Sequence, residues 1–199
     1  MVLGCLACRA RFIVPRSLGA LHRRTWQGAH VLRTLVDSAS DSPKLTLSTV
    51  GSQLLSSKFR NTTPEAAYDN WASTYEDDSC GEQGLGFDSP DVCARIAAGH
   101  IAAAAAGRDA PVRVLDVGCG TGLLGGLLDE HLRARDDCQT ELVGCDLSAG
   151  MLDLARAAGR YAALHKCSAS DVPWPLDDGV FDVAMCNGVL VYVADGGHV

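Results

Sequence analysis

One stretch limits the possible folds more than any other: an apolar run, Val112 to Val117, feeds straight into glycines at positions 118, 120 and 122. A short apolar run ending in a glycine loop suits a buried parallel strand. A strand followed at once by closely spaced glycines marks a ligand site at the carboxyl end of an open sheet. Glycine is needed there because a side chain would block the ligand, and because such turns visit torsions that other residues resist. The glycine spacing narrows the ligand. A dinucleotide fingerprint wants its third glycine at position 123, which is Leu123 here.

The rest of the carboxyl half repeats the alternation. Gly122 to Leu132 has helical spacing, and Glu141 to Cys145 reads as a second strand. Ser148 caps a helix carrying Met151, Leu152 and Ala155. Tyr161 to His165 is a weaker third strand, Pro173 and Pro175 enforce a loop, and Val180 to Cys186 is a fourth strand. Strands separated by helices imply an α/β, Rossmann-like, doubly wound parallel sheet with right-handed crossovers. Two helices precede it. Thr62 and Glu65 have capping-box spacing ahead of a helix with Pro64 in its first turn and Tyr68, Trp71 and Tyr75 on one face. After a loop containing Gly81, Gly84 and Gly86, Ser89-Pro90 opens a helix running to about Ala106, with Val92, Ile96 and Ile101 as its apolar face.

Charge separates the amino terminus from the body. Residues 1–36 hold six arginines and no Asp or Glu, leaving 11 basic residues against all 24 acidic ones in the remainder. An acidic body gives no electrostatic help toward phosphate backbones, so direct nucleic-acid binding is not expected. No apolar stretch is long enough to span a membrane. The first forty residues match the composition of a mitochondrial transit peptide, with a disordered basic extension as the alternative; the expected location is cytoplasmic or mitochondrial. Residues 1–61 read as extension and linker, and 62–199 as one domain. The nine cysteines lack disulfide-framework spacing and fit a reducing compartment. Cys5 and Cys8 have no second pair, and His100, His131 and His165 fall on separate elements, so no metal site is expected.

Asp146, ending the second strand, can accept hydrogen bonds from both ribose hydroxyls of an adenosine-containing ligand. It lies 24 residues beyond Gly122, and the polar insert Arg133 to Thr140 accounts for that length as a long loop. Asp146 can also cap the following helix, and the two roles are compatible. Cys119 sits inside the turn, where any small residue would serve, and nothing nearby marks it as a nucleophile.

Asp116 through Gly122, Gly144-Cys145-Asp146-Leu147-Ser148 with Met151, Asp171, and Phe181-Asp182-Val183 leading to Asn187-Gly188-Val189-Leu190 resemble the successive motifs of class I S-adenosylmethionine-dependent methyltransferases. Tyr68-Asp69-Asn70-Trp71-Ala72 with Tyr75 resembles, more narrowly, the methyltransferase-like group of the Williams–Beuren critical region. The resemblance implies that Gly118, Gly120 and Gly122, with Cys119 among them, admit the cofactor backbone-close, and that Asp116 meets its amino group. It implies Asp146 on the ribose, Leu147 and Met151 near the adenine, and Asp171 with the backbone of Val172 on the adenine amino group. Asn187 and Gly188 would line the methyl-donor side. Tyr68, Trp71 and Tyr75 either cover the sulfonium with aromatic faces or simply pack their helix. Asp171 is alternatively a surface turn residue.

A complete domain of this class continues beyond a fourth strand, so the expectation is a chain truncated there, without its usual acceptor-binding half. Three functions follow: methyl transfer to an unidentified small-molecule or protein acceptor, nicotinamide-dependent oxidoreduction, or a non-catalytic cofactor-binding fragment. The acceptor, its methylated atom and the oligomeric state are not encoded in any motif found.

Overall fold

The computed structural model describes residues 56–80, 84–133, 138–171 and 173–189. The amino-terminal extension, Val172 and Leu190 lie outside these. Ahead of the sheet lie two short helices, α1 (Pro64–Trp71) and α2 (Tyr75–Cys80), joined by a 3-10 turn, Ala72–Thr74. The cap of α1 is Thr63, not Thr62: its side chain accepts from the Ala66 N–H at 3.3 Å. The shift has a local cause. The residue before a proline is driven to extended backbone, and Thr63, at φ −77° and ψ 155°, is therefore the last residue outside the helix. Glu65, freed from any capping box, pairs instead with Lys166 at 2.7 Å.

Helix α3 (Ser89–Ala105) ends before Gly107, which takes φ +73°. Its buried face is Cys93, Ala94, Ala97, Ala98, Ile101 and Ala105, while Val92 and Ile96 are only half-buried. The expected apolar face is thus rotated toward small residues, because alanines let α3 approach α4 (Leu123–Leu132) closely.

Four parallel strands, β1 (Val112–Val117), β2 (Thr140–Asp146), β3 (Ala163–Lys166) and β4 (Val183–Cys186), lie in the order β3-β2-β1-β4. Helix α5 (Ala149–Ala158) links β2 to β3. Alternation along β1 sends Val112 and Val114 into a core with α3 and α4, together with Leu142, Val183 and Met185. Leu115 and Val117 enter the opposite core with Val143, Cys145 and Cys167, which is covered by Trp174, Leu176 and Phe181 from the connection between β3 and β4. Among the described residues, one face is therefore walled by helices and the other by irregular chain. Among the described residues, no helix is long and apolar enough to cross a membrane.

Candidate functional site

The site forms where β1 and β2 end side by side, with Val117 in register with Cys145. Gly118, Gly120 and Gly122 all take positive φ, at +69°, +54° and +87°. Such torsions strain any residue with a Cβ, so the glycines are conformational requirements of the turn. The Gly118 and Cys119 N–H groups both donate to the Cys145 carbonyl, at 2.7 and 3.0 Å. Gly122 then serves as the left-handed residue from which α4 starts, without a side-chain cap. A Cβ on Gly120 would meet nothing within 4 Å, so the space above the turn is open there. At Gly118 a Cβ would collide with the Val189 side chain, so the segment after β4 closes that side.

Asp146 is buried and ties the two strand ends together. Its Oδ2 accepts from the Gly120 N–H at 2.9 Å, and its Oδ1 accepts from the Ser148 N–H at 2.8 Å. Burial raises its pKa, and the backbone N–H groups of Ser148 and Gly120 oppose that shift. Ser148 caps α5 through its hydroxyl, which accepts from the Met151 N–H at 3.1 Å. The same hydroxyl donates to Asp69 Oδ1 at 2.6 Å, and the Gly150 N–H donates to that oxygen at 2.9 Å. Asp69 on α1 thus clasps the amino terminus of α5, where a carboxylate is favoured. These contacts hold its carboxyl below the usual range, the Ser148 hydroxyl contributing most.

Beneath the turn, Asp116 is fully buried. Tyr161 donates its hydroxyl to Asp116 Oδ2 at 2.8 Å, whereas Oδ1 has no partner. Burial pushes the Asp116 carboxyl up to about 7, against the Tyr161 hydrogen bond. Cys119 is buried, and burial beside Asp116 and Asp146 pushes its thiol far up, so it stays neutral and is no nucleophile.

The remaining residues are placed as follows. Leu147 is half-buried between Asp146 and Ser148, and Met151 is buried on α5. Asn187 and Gly188 directly follow Cys186, the register partner of Val117, which sets them beside the glycine turn. Asp171 is exposed and accepts from the Ser168 N–H at 2.8 Å, closing its own turn. Tyr75 is half-buried with its ring 5.0 Å from that of Trp71, and Tyr68 stacks on Trp71 at 6.0 Å. Trp71 itself is buried, its indole N–H donates to Asp78 at 2.6 Å, and the Lys58 ammonium lies 5.2 Å from its ring centroid. Its role in packing is therefore visible in the fold. A cleft of about 520 Å3 runs between α2, α4 and α5, lined by Glu76, Thr121, Gly122, Leu127 and Leu154; it reaches the glycine turn at Gly122, and neither Asp116 nor Asp146 lines it.

Three residues of the site have contacts that their place in the sequence does not announce: Tyr161 reads only as the start of a strand, and Asp69 and Gly144 stand inside the resembling motifs without a role assigned to either. A Cβ on Gly144 would lie 2.8 Å from Leu164, 2.9 Å from the Cys119 sulfur and 2.9 Å from the Tyr161 ring. Gly144 is thus what lets the turn settle onto β2.

Residues 114–198 match the family model described as a methyltransferase domain. The human methyltransferase-like protein 27 is 36% identical over 123 residues, or 62% of this chain, and the chain spans 45% of that relative's length. Among solved structures, the plantazolicin methyltransferase BpumL in complex with a pentazolic analog and SAH is 20% identical, with a TM-score of 0.40 over 68% of this chain and 45% of that one. CalS10, a SAM-bound amino pentose methyltransferase from Micromonospora echinaspora, is 23% identical, with a TM-score of 0.30 over 73% and 44% of the two chains. The resemblance read from the motifs from Asp116 onward is borne out by the domain match, and Tyr68 to Tyr75 lie outside the matched residues.

Proposed function

We propose that this chain, which carries a methyltransferase domain over residues 114–198, binds S-adenosylmethionine and transfers its methyl group to an acceptor. One observation supports this reading above the others. The open turn at Gly120, the buried carboxylate of Asp146 that accepts its N–H, and the unpartnered oxygen of Asp116 lie together at the carboxyl ends of the paired strands β1 and β2. An orphaned buried carboxylate oxygen is costly, and a cofactor ammonium, directly or through water, would satisfy it. The donor set therefore fits the group.

In this reading Gly118, Gly120 and Gly122 present backbone without side chains, and Asp146 holds the ribose with lone pairs left over from its two backbone bonds. Leu147 and Met151 flank the adenine, and Asp171 with Val172 takes the adenine amino group. Asn187 and Gly188 border the methyl-donor side, with Tyr75 and its aromatic neighbours over the sulfonium. When bound, the cofactor supplies a methyl group that is already activated for transfer. What the chain's own residues supply is alignment of the acceptor and exclusion of water. The acceptor is a small molecule or a protein, and a general base is required only if its attacking atom must lose a proton.

Calorimetry of the full chain with S-adenosylmethionine, S-adenosylhomocysteine and NADH tests the reading. Binding of the two sulfur nucleosides without NADH is expected, and heat with NADH alone would overturn it. The Arg-rich residues 1–40 are proposed to direct the chain to mitochondria. A reporter carrying them that stays cytosolic would refute that.

A further inference from the structure

Tyr161 stands ahead of β3, yet its ring reaches under the glycine turn from 45 residues away in the chain. Three glycines are shaped around it. A Cβ on Gly122 would lie 3.2 Å from the ring, one on Gly125 would lie 2.8 Å from the hydroxyl oxygen, and one on Gly144 would lie 2.9 Å from the ring. The phenol is thereby locked against α4 and β2, and its hydroxyl has a single defined acceptor, Asp116 Oδ2 at 2.8 Å. A tyrosine that served packing alone would do as well without the hydroxyl, since a buried O–H must be satisfied or it costs stability.

We infer that Tyr161 is a positioning residue of the cofactor site, fixing Asp116 through Oδ2 so that Oδ1 remains the acceptor for the cofactor's ammonium. This rests on the reading of the site given above. The groups facing the Asp116 carboxyl are Tyr161, Cys119 in the turn, and Cys145 and Asp146 on β2. Burial drives both thiols and the phenol upward, so all three stay protonated near neutral pH. Within this set Asp116 and Asp146 are the carboxyls. Tyr161 holds the Asp116 pKa down against burial and the Asp146 charge. Without the hydroxyl, Asp116 is protonated at higher pH and ceases to attract an ammonium.

The test uses Tyr161→Phe, which keeps the ring. In the cofactor-free full chain, the Asp116 carboxyl is titrated by carbon-13 NMR, with Asp116→Asn identifying the signal. The midpoint, about 7 in the unaltered chain, is expected to move up by about one pH unit. An unmoved midpoint overturns the inference whether or not the cofactor binds. Calorimetry then follows S-adenosylmethionine affinity against pH. A one-unit rise predicts a loss of about fivefold at pH 7 that vanishes by pH 9. A loss of equal size at every pH is what packing alone would give, and it would refute positioning. A moved midpoint in a chain that takes up no S-adenosylmethionine would overturn the cofactor reading and leave the Tyr161–Asp116 coupling standing.

Discussion

Replacing Gly144 with alanine tests whether the turn is held by contact with β2. The added methyl would lie within 3.0 Å of Leu164, the Cys119 sulfur and the Tyr161 ring. Leu164 is half-buried and can rotate away cheaply. Cys119 is 5% exposed and Tyr161 is anchored on Asp116, so two of the three neighbours cannot yield without moving the turn. Overpacking of this kind costs about 1–3 kcal/mol, and two fixed neighbours place the cost in the upper part of that range. Alanine returns about 0.5–1 kcal/mol by restricting the unfolded chain. The net loss is then about 2 kcal/mol, or roughly 4–8 °C in Tm for a chain of this size. Thermal and urea unfolding measure it. Adding Cys119→Ala should restore about half, because one fixed neighbour disappears and the pair is coupled. A Gly144→Ala chain within about 0.5 kcal/mol of the parent, or a double variant whose losses simply add, would refute the packing argument.

Asp146→Ala leaves the Gly120 and Ser148 N–H groups without their acceptor; it should cost about 2–4 kcal/mol in urea unfolding and abolish S-adenosylmethionine binding by calorimetry. Asp116 is raised to about 7 in the fold from 3.8. Folding therefore holds an extra proton between those values, and stability falls as pH rises from about 4 to 7. Asp116→Asn should flatten that slope and be the more stable protein at pH 8, with the difference shrinking by pH 5, as read from Tm against pH. Asp69 has the opposite sign. Its lowered pKa contributes stability above about pH 4 that is lost on acidification, so Asp69→Asn should lower Tm at pH 7, with the difference from the parent shrinking as the pH falls below the ordinary carboxylate range.

What the sequence discloses here is what neighbouring residues decide among themselves. The bounds of β1 follow from its apolar run, the turn from its glycines, and the Ser148 cap from a hydroxyl directly preceding its helix. The Thr62 assignment misses by one residue because a single proline settles the last extended position. The face of α3 misleads for another reason. Hydrophobicity favours Val92 and Ile96, whereas close approach between two helices selects Cys93, Ala94, Ala97 and Ala98. The contacts made by Tyr161 and Asp69 span 45 and 79 residues of chain, and no local pattern encodes a partner that far away. Gly144 has the same origin, since its constraint comes from Cys119, Tyr161 and Leu164 converging in space.

The unequal walls of the sheet make the molecule's breathing one-sided. Helices α3 and α4 keep their own hydrogen-bond ladders when they drift from the strands, so Ile101 and Leu128 stay dry through small fluctuations. Among the described residues, Trp174, Leu176 and Phe181 hang on chain outside any helix or strand, and their departure exposes the Leu115, Val143 and Cys145 face of the sheet. Solvent and thiol reagents will then reach Cys145 and Cys167 long before Cys93, and local opening will start beside the strand ends that carry Asp146.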